Sequence, residues 1–180
     1  DGQGQPLLET SPNWQDTRCL AQADWLIEQV GLGWASFGMP RNSFPAKLRW
    51  ALEHQSAAVR QARYALGIKE YLLYWLIGEF VSEPSSGPGG EAWWAPVFAA
   101  CDWPLDRLPR VLAGQAIGGQ VLPQRVAELD LPHALPVVMG LNDGASATLS
   151  MGALHSEEAV LTLATSGVLR MVLPEPLAPT

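Results

Sequence analysis

The sequence predicts an α/β fold, and three features of the chain point to it. Apolar residues in the first hundred positions repeat at helical spacing. After Gln115 the chain changes to short β-rich runs and turns. Between these zones an apolar run leads through Asn142-Asp143-Gly144 into a segment of small residues, which is the order of a strand followed by a helix. With 180 residues, the chain can form one core, or one domain and part of another.

A first helix is predicted to begin near Asp16 or Thr17, either of which can serve as its N-cap. Gly31 is the predicted end, because glycine adopts the left-handed conformation that closes many helices. Apolar residues three and four positions apart form one face of this helix, and they are Leu20, Ala23, Leu26, Ile27 and Val30.

Two further helices are predicted before the middle of the chain. Ser43 followed by Pro45 indicates the start of one, and Ile68–Leu76 forms the next, which stops at Gly78. The segment Ser82–Gly90 is rich in proline and glycine and is predicted to be a surface loop. The inward-facing positions of the second helix are Leu48, Ala51 and Leu52.

The second half of the chain is predicted to alternate strands and helices. Ala116-Ile117 indicates a short strand, Pro123 the start of a helix, and Pro136–Gly140 a buried strand. Small residues follow over Ala145–Ala153 and allow a helix to approach another backbone closely. Two β-rich runs then predict a hairpin, and they are Ala159–Ala164 and Val168–Leu173.

Composition and charge exclude several classes of protein. The formal net charge is −7 and the pI is near 4.8, which argues against a nucleic acid partner. The uncharged run Tyr71–Gly78 is far shorter than the roughly 20 residues of a membrane span, so no membrane partner is expected. Cys19 and Cys101 lack metal-ligand spacing and predict two buried thiols in a reducing cytoplasm. No signal peptide is visible, and a start without Met predicts a fragment.

Asp143 is the most suggestive single residue. It follows an apolar strand and opens a helix, and ligands of α/β sheets gather where strands end and helices begin. A carboxylate there can accept a proton from a substrate hydroxyl or hold that hydroxyl in line for attack. The alternative is that Asp143 caps the helix by binding the amides of Ala145 or Ser146, and spacing alone favours the cap.

The turn between the last two β-rich runs is a second candidate site. Its hydroxyls and backbone N–H groups can hold a phosphate, because donors fixed in a turn form an anion-binding nest. An ordinary hairpin turn has the same composition, and that interpretation is favoured without further evidence. The residues of the turn are Thr165, Ser166 and Gly167.

The segment Trp14-Gln-Asp-Thr-Arg18 places an aromatic ring, an amide, a carboxylate and a guanidinium in five residues. A polyhydroxylated ligand needs this combination, because the ring takes its C–H face and the polar groups take its hydroxyls. The alternative carries equal weight. In it Asp16 caps the helix, Arg18 is solvated and Trp14 lies in the core.

Histidine and tryptophan suggest two other classes of protein, and both are disfavoured. His54, His133 and His155 lack the spacing of metal ligands, so no metal site is predicted. Eight tryptophans would suit an all-β carbohydrate-binding module, but most of them sit at helical spacing and are predicted to lie in the core. They include Trp25, Trp50 and Trp75.

Six short segments together carry a family resemblance. Any one is weak, whereas their shared order along nearly the whole chain is specific. In chain order they are Trp14-Gln-Asp-Thr-Arg18 (W-x-D-x-R), Lys47-Leu-Arg-Trp50 (K-L-x-W), Glu70-Tyr-Leu-Leu-Tyr74 with Leu76 and Gly78-Glu79, Leu108-Pro109, Gly140-Leu-Asn-Asp-Gly144 (G-x-x-D-G/Q), and Leu163-Ala-Thr-Ser-Gly167 (G-T-S-G). This set resembles the FGGY carbohydrate kinases, most closely the gluconate kinases, with the xylulose kinases near.

The resemblance implies an actin-like, ribonuclease-H-like ATPase fold with two α/β domains. Residues 1–153 would be part of the N-terminal, sugar-binding domain, and residues 154–180 the start of the C-terminal, nucleotide-binding domain. The implied reaction is phosphorylation of a sugar or sugar acid hydroxyl by ATP with Mg²⁺ in the cytoplasm, and a homodimer is a further expectation. Asp143 would be the catalytic base, Trp14 would line the sugar pocket beside Asp16, and the phosphate contacts would be Thr165, Ser166 and Gly167.

The chain departs from the family pattern in several places. Ala164 stands where the family usually has glycine, and Glu83-Pro84-Ser85 replaces the D-x-S loop. The family's D-x-G-T-T/S phosphate loop and its adenosine-binding segment are absent from this sequence, so we expect the chain alone not to turn over ATP. The rival hypothesis is a truncated or regulatory homologue that binds a sugar or a protein partner without chemistry.

Overall fold

A computed structural model of the chain describes residues 1–30, 43–86, 95–163 and 167–175. The chain divides into two compact units, Asp1–Gly140 and Leu141–Thr180, and each is described by itself. The boundary predicted after Ala153 refers to the two domains of the family fold, and it stays a prediction.

Helices form most of the first unit. In chain order they are α1 (Leu20–Val30), α2 (Phe44–His54), α3 (Ser56–Gln61), α4 (Ile68–Ile77), α5 (Ala95–Ala100), a 3₁₀ turn (Leu105–Arg107) and α6 (Pro123–Glu128). The helix α1 packs against both α2 and α5, and their apolar faces enclose the larger of two cores. Its most buried members are Leu26, Ala46, Val97, Phe98 and Cys101.

The predicted faces of the first helices are largely confirmed, but α1 begins at Leu20, so the predicted N-cap at Asp16 or Thr17 is wrong. Ala23 and Leu26 are the buried residues of α1, whereas Leu20 is 39% exposed at its first turn. The helix α2 begins directly after Ser43 with proline in its first turn, although the Ser43 hydroxyl makes no capping bond. Its inward positions are buried as predicted, and they are Leu48, Ala51 and Leu52.

The three tryptophans that we expect in the core are half-buried, and Trp25 and Trp50 pack against the larger core. An arginine covers the outer face of each ring. The guanidinium carbons lie 4.2 Å from the ring centre for Arg18 over Trp50, 4.5 Å for Arg49 over Trp25 and 4.2 Å for Arg125 over Trp75. Cation–π contact lets a large ring remain at the edge of the core.

A second, smaller core lies under α4. Gly78 closes this helix in the left-handed conformation, with φ of +77°, as the sequence predicts. The helix packs on a short strand, β3, whose Gly118 and Gly119 allow Ile77 to approach closely. The strands of this unit are β1 (Val81–Ser82) and β2 (Arg110–Val111), which are parallel, and β3 (Ile117–Gln120) and β4 (Pro136–Val138), which are antiparallel.

The strand β4 forms where the sequence predicts it, but it is not a buried strand. Met139, directly after it, is 2% exposed and belongs to the core under α4, whereas Val138 is 52% exposed. The pairing of Ile117 with Val138 places two exposed side chains opposite each other. A two-stranded ribbon packed on one helix buries one face only, which an apolar run does not reveal.

The second unit consists of one helix and one hairpin in the described residues. The helix α7 (Asp143–Ser150) is followed by β5 (Ala159–Leu163) and β6 (Gly167–Met171), which pair antiparallel from Ala159 with Met171 to Leu163 with Gly167. The predicted hairpin is therefore confirmed. Helices in both units also contradict the alternative of an all-β carbohydrate-binding module.

Candidate functional site

The carboxylate of Asp143 stands at the first position of α7 and is exposed. The N-cap of this helix is Asn142, whose side-chain Oδ1 accepts a hydrogen bond of 2.8 Å from the N–H of Ala145. The carbonyl oxygen of Asn142 accepts from the N–H of Ser146 at 2.9 Å. The alternative in which Asp143 caps the helix is therefore wrong, because its neighbour satisfies both amides.

Asp143 makes one short-range bond, in which its Oδ1 accepts from the N–H of Gly144 at 2.7 Å. The first turn of a helix favours a negative charge, because its free N–H groups carry a partial positive charge. Capping by Asn142 leaves an ionisable carboxylate at the helix start that the fold does not need for its own closure. Such a group can receive a proton from a hydroxyl.

Arg170 is a residue of this neighbourhood that sequence reasoning missed. It lies on β6 and is half-buried, and its Nη1 donates to the hydroxyl of Thr162 at 3.1 Å. Its Nε lies 3.2 Å from the position that a β-carbon on Gly144 would occupy, so the guanidinium covers the first turn of α7. The sequence feature that could have indicated Arg170 is its position as the single charged residue in the otherwise apolar strand β6.

The predicted phosphate turn is described only at its end. Gly167 is the first residue of β6 and pairs with Leu163 across the hairpin. A β-carbon on Gly167 would meet only the side chain of Leu163, at an ordinary distance of 3.6 Å. Thr165 and Ser166 lie outside the described residues, as does Ala164.

The segment before α1 is held by an ion pair between Asp16 and Arg18. The backbone N–H of Arg18 donates to Asp16 Oδ1 at 3.1 Å, and its guanidinium donates to both carboxylate oxygens, the shortest distance being 2.5 Å from Nη2 to Oδ2. The side-chain hydrogen bond from Arg18 lowers the pKa of Asp16 from 3.8 to about 2.

Trp14 is 74% exposed, so the alternative that placed it in the core is wrong. The same alternative had Asp16 capping α1 and Arg18 in solvent. Instead Asp16 binds Arg18, and the Arg18 guanidinium stacks on Trp50, whose ring in turn stacks on His54 at 4.7 Å. The segment therefore presents an exposed aromatic ring close in sequence to a fixed, ionised carboxylate.

A buried carboxylate surrounded by hydrogen-bond donors follows β1, and the sequence did not predict it. Glu83 is fully buried and receives hydrogen bonds from Lys69 Nζ at 2.6 Å, from the Ser86 hydroxyl at 2.6 Å and from the backbone and hydroxyl of Ser85. Burial alone would raise the pKa of Glu83, but these hydrogen bonds outweigh it and lower the pKa. The segment Glu83-Pro84-Ser85, which replaces the D-x-S loop of the family, is thus held by hydrogen bonds from Ser85 to the Glu83 carboxylate.

The described residues also bear on the cysteines, on metal binding and on membrane insertion. Cys19 and Cys101 are buried free thiols, as predicted. No cluster of three histidine, cysteine or acidic side chains in the described part of the chain could hold a metal ion. None of the helices in these ranges combines the length and apolar character that crossing a membrane requires.

Comparison with known proteins identifies the family. Residues 1–150 match the N-terminal domain of the FGGY family of carbohydrate kinases. The chain belongs to this family. Xylulose kinase of Escherichia coli is 33% identical over 175 residues, which cover 91% of the chain and 36% of that enzyme. Gluconokinase of Bacillus licheniformis is 29% identical over 139 residues, which cover 73% of the chain and 27% of that enzyme.

A solved structure shows the same fold. Gluconate kinase from Lactobacillus acidophilus matches 94% of the chain and 37% of its own length, with a TM-score of 0.79 at 21% identity. The predicted actin-like fold, of which the chain covers the first domain, is confirmed by such FGGY neighbours. The chain spans about a third of the length of the curated relatives it matches, whose names include both xylulose kinase and gluconokinase.

Proposed function

We propose that the protein containing this chain transfers a phosphoryl group from ATP to a hydroxyl of a sugar or sugar acid. Family membership supports the reaction class, since the relatives are named as sugar kinases. The observation that carries the proposal is the cap of α7. Because Asn142 closes the helix, the carboxylate of Asp143 is left for chemistry at a helix start.

Asp143 is the proposed general base. Its carboxylate accepts the proton of the acceptor hydroxyl while the hydroxyl oxygen bonds to phosphorus and the bond between phosphorus and the leaving group breaks. ATP would supply the phosphoryl group when bound, and Mg²⁺ bound with it would offset its negative charge. Positioning and charge supply most of the rate enhancement in this reaction class, so the base acts together with residues that hold the acceptor and the phosphates.

The proposed phosphate contacts are Thr165, Ser166 and Gly167, on the basis of their resemblance to the family's phosphate turn. Two hydroxyls and consecutive N–H groups suit three phosphate oxygens. The described residues contain no cluster of metal ligands, and an exposed Asp143 alone does not make an octahedral site for Mg²⁺. No step is therefore assigned to a metal in this part of the chain.

Trp14 and Asp16 are the proposed acceptor-side residues of the first unit. The exposed ring of Trp14 offers a flat apolar face to the C–H side of a sugar. The carboxylate of Asp16 remains ionised at neutral pH, because Arg18 holds its pKa near 2, and an ionised carboxylate accepts hydrogen bonds from sugar hydroxyls. The cation that orients Asp16 is itself supported by the Trp50 ring.

The remaining proposals concern partners and location. The acidic composition supports the absence of a nucleic acid partner, and we propose neither a nucleic acid nor a membrane as a ligand. A homodimer is the proposed assembly. A cytoplasmic location is supported by the two buried free thiols, Cys19 and Cys101.

The test is a coupled assay of ATP consumption with the protein from the complete reading frame. Gluconate, xylulose, ribulose and glycerol are offered as acceptors, and at least one sugar or sugar acid is expected to increase ADP release. Binding of a sugar without turnover, measured by calorimetry, would instead support the non-catalytic homologue. A reading frame without an upstream D-x-G-T-T/S loop would also count against the kinase.

A further inference from the structure

Arg170 differs from most arginines of the described chain because no carboxylate neutralises it. Five others form ion pairs with an Asp or Glu side chain, and they are Arg18, Arg49, Arg60, Arg63 and Arg125. In the residues that the structure describes, Arg170 makes a single hydrogen bond, to the hydroxyl of Thr162. A guanidinium has five N–H donors, and the described residues accept from only one of its nitrogens, Nη1.

Arg170 lies beside Gly144, the residue that follows the proposed base. Its Nε and Nη2 lie 3.2 Å and 3.5 Å from the position of a β-carbon on Gly144, the residue directly after Asp143. Arg170 and Asp143 nevertheless do not form an ion pair. The guanidinium thus lies beside the first turn of α7 without forming an ion pair with the Asp143 carboxylate.

The described surroundings of Arg170 are largely apolar. It lines an open groove of about 520 Å³ between α7 and the hairpin, where it is the one charged side chain among the described lining residues. None of the described lining residues is acidic, so none of them competes with an anionic ligand for the guanidinium. Its apolar neighbours there include Leu141, Ala145, Leu149 and Met171.

We propose that Arg170 binds the carboxylate of an anionic acceptor, so that the site prefers sugar acids such as gluconate to uncharged sugars. The planar guanidinium fork matches a carboxylate at two points, which fixes the acceptor as well as attracting it. The proposal rests on the proposed function, because it uses Asp143 to locate the acceptor. It adds the chemical class of the substrate and the residue that selects it.

The test uses the protein from the complete reading frame with two variants, Arg170→Gln and Arg170→Lys. The exposed Arg110, on β2 of the other unit, provides the matched control Arg110→Gln. The measurements are kcat/KM for gluconate and for xylulose, and the dissociation constant of gluconate by calorimetry without ATP. Arg170→Gln should weaken gluconate binding and lower its kcat/KM by about 10- to 100-fold, while xylulose kinetics stay unchanged.

Arg170→Lys should retain part of the gluconate preference because it keeps the charge and loses the fork, and Arg110→Gln should behave as the unmodified protein. Equal losses for gluconate and xylulose in Arg170→Gln would overturn the proposal, and so would unchanged gluconate binding or an unmodified protein that binds xylulose and no gluconate. If no acceptor is phosphorylated, the proposed function fails. The calorimetric comparison then still decides whether Arg170 binds a carboxylate.

Discussion

The side chain of Asn142 accepts a hydrogen bond from the N–H of Ala145 at 2.8 Å and so closes the start of α7. This bond has a consequence for the neighbouring residue. Asp143 could make the same capping bond by its chemistry, yet it stands one position further along and binds only the N–H of Gly144. Stability and chemistry at this helix start are therefore assigned to two adjacent side chains.

The first prediction separates these two roles. Asn142→Ala should lower the free energy of unfolding by about 1 kcal/mol, because the Ala145 amide loses its partner. Asp143→Asn should leave stability almost unchanged but lower phosphorylation by about 10²- to 10⁴-fold with ATP binding retained. Urea unfolding and the coupled kinase assay measure the two effects.

The matched control for this pair is Asp130→Asn. Asp130 is exposed and has a φ of +52°, a conformation that asparagine tolerates well. It should change neither quantity. Full turnover by Asp143→Asn would show that this carboxylate is not the base.

The second prediction concerns pH and the ion pair of Asp16 with Arg18. The folded pKa of Asp16, about 2, lies below its ordinary value of 3.8. A carboxyl group with a lower pKa in the folded than in the unfolded protein stabilises the fold at pH values above 3.8. This stabilisation is lost as the pH falls towards 2. Carbon-13 NMR titration of the Asp16 carboxyl should give a midpoint near 2.

Arg18→Gln should return the Asp16 midpoint towards 3.8, because the side-chain hydrogen bond from Arg18 is the largest cause of the shift. Arg110→Gln serves as the control, since it removes an exposed arginine from a distant part of the sequence. An Asp16 midpoint near 2 in Arg18→Gln would contradict the assignment of the shift to this pair.

The third prediction concerns the buried carboxylate of Glu83. Lys69→Met should destabilise the fold by about 3 kcal/mol, because it leaves a buried charge without its cation. Glu83→Gln should cost less, since the ammonium of Lys69 is partly exposed and can be hydrated instead. Chemical unfolding of both variants and of the double variant measures their coupling, and equal, additive costs would argue against the pair.

The fourth prediction concerns the close approach of α4 to β3. A β-carbon at Gly119 would lie 3.1 Å from the Cβ of Ile77, which cannot move without shifting the helix. Gly119→Ala should therefore lower the free energy of unfolding by about 1 to 3 kcal/mol. Gly2→Ala is the control, since its nearest neighbour is the flexible side chain of Arg63 at 4.0 Å, and an equal effect of both variants would refute the steric argument.

Local sequence rules predict much of the fold, because they describe interactions between near neighbours. Helical spacing and a following glycine suffice for α4, which ends at Gly78, and two β-rich runs suffice for the hairpin of β5 and β6. The same rules fail for the exposure of Val138, because burial depends on which elements cover a strand. They also do not reveal that the tryptophans are only half-buried, with arginines such as Arg49 and Arg125 stacked over their rings.

The candidate site divides in the same way. Motif order points to Asp143 and to Trp14-Gln-Asp-Thr-Arg18, and these residues can be named without coordinates. The sequence cannot choose between Asn142 and Asp143 as the helix cap, because either type of side chain is able to make that bond. The residue at which the helix begins decides between them. It also gives no reason to connect Lys69 with Glu83, which lie 14 residues apart.

By itself, the sequence determined the family, the order of helices and strands and the residues that can do chemistry, since these depend on residue type and spacing along the chain. The tertiary structure decided which of them are free to act. It assigned the cap to Asn142, brought Arg170 beside the first turn of α7 and buried Glu83 with a cation. The cap depends on the residue at which the helix begins, and the other two outcomes depend on distances between residues far apart in the chain, neither of which spacing contains.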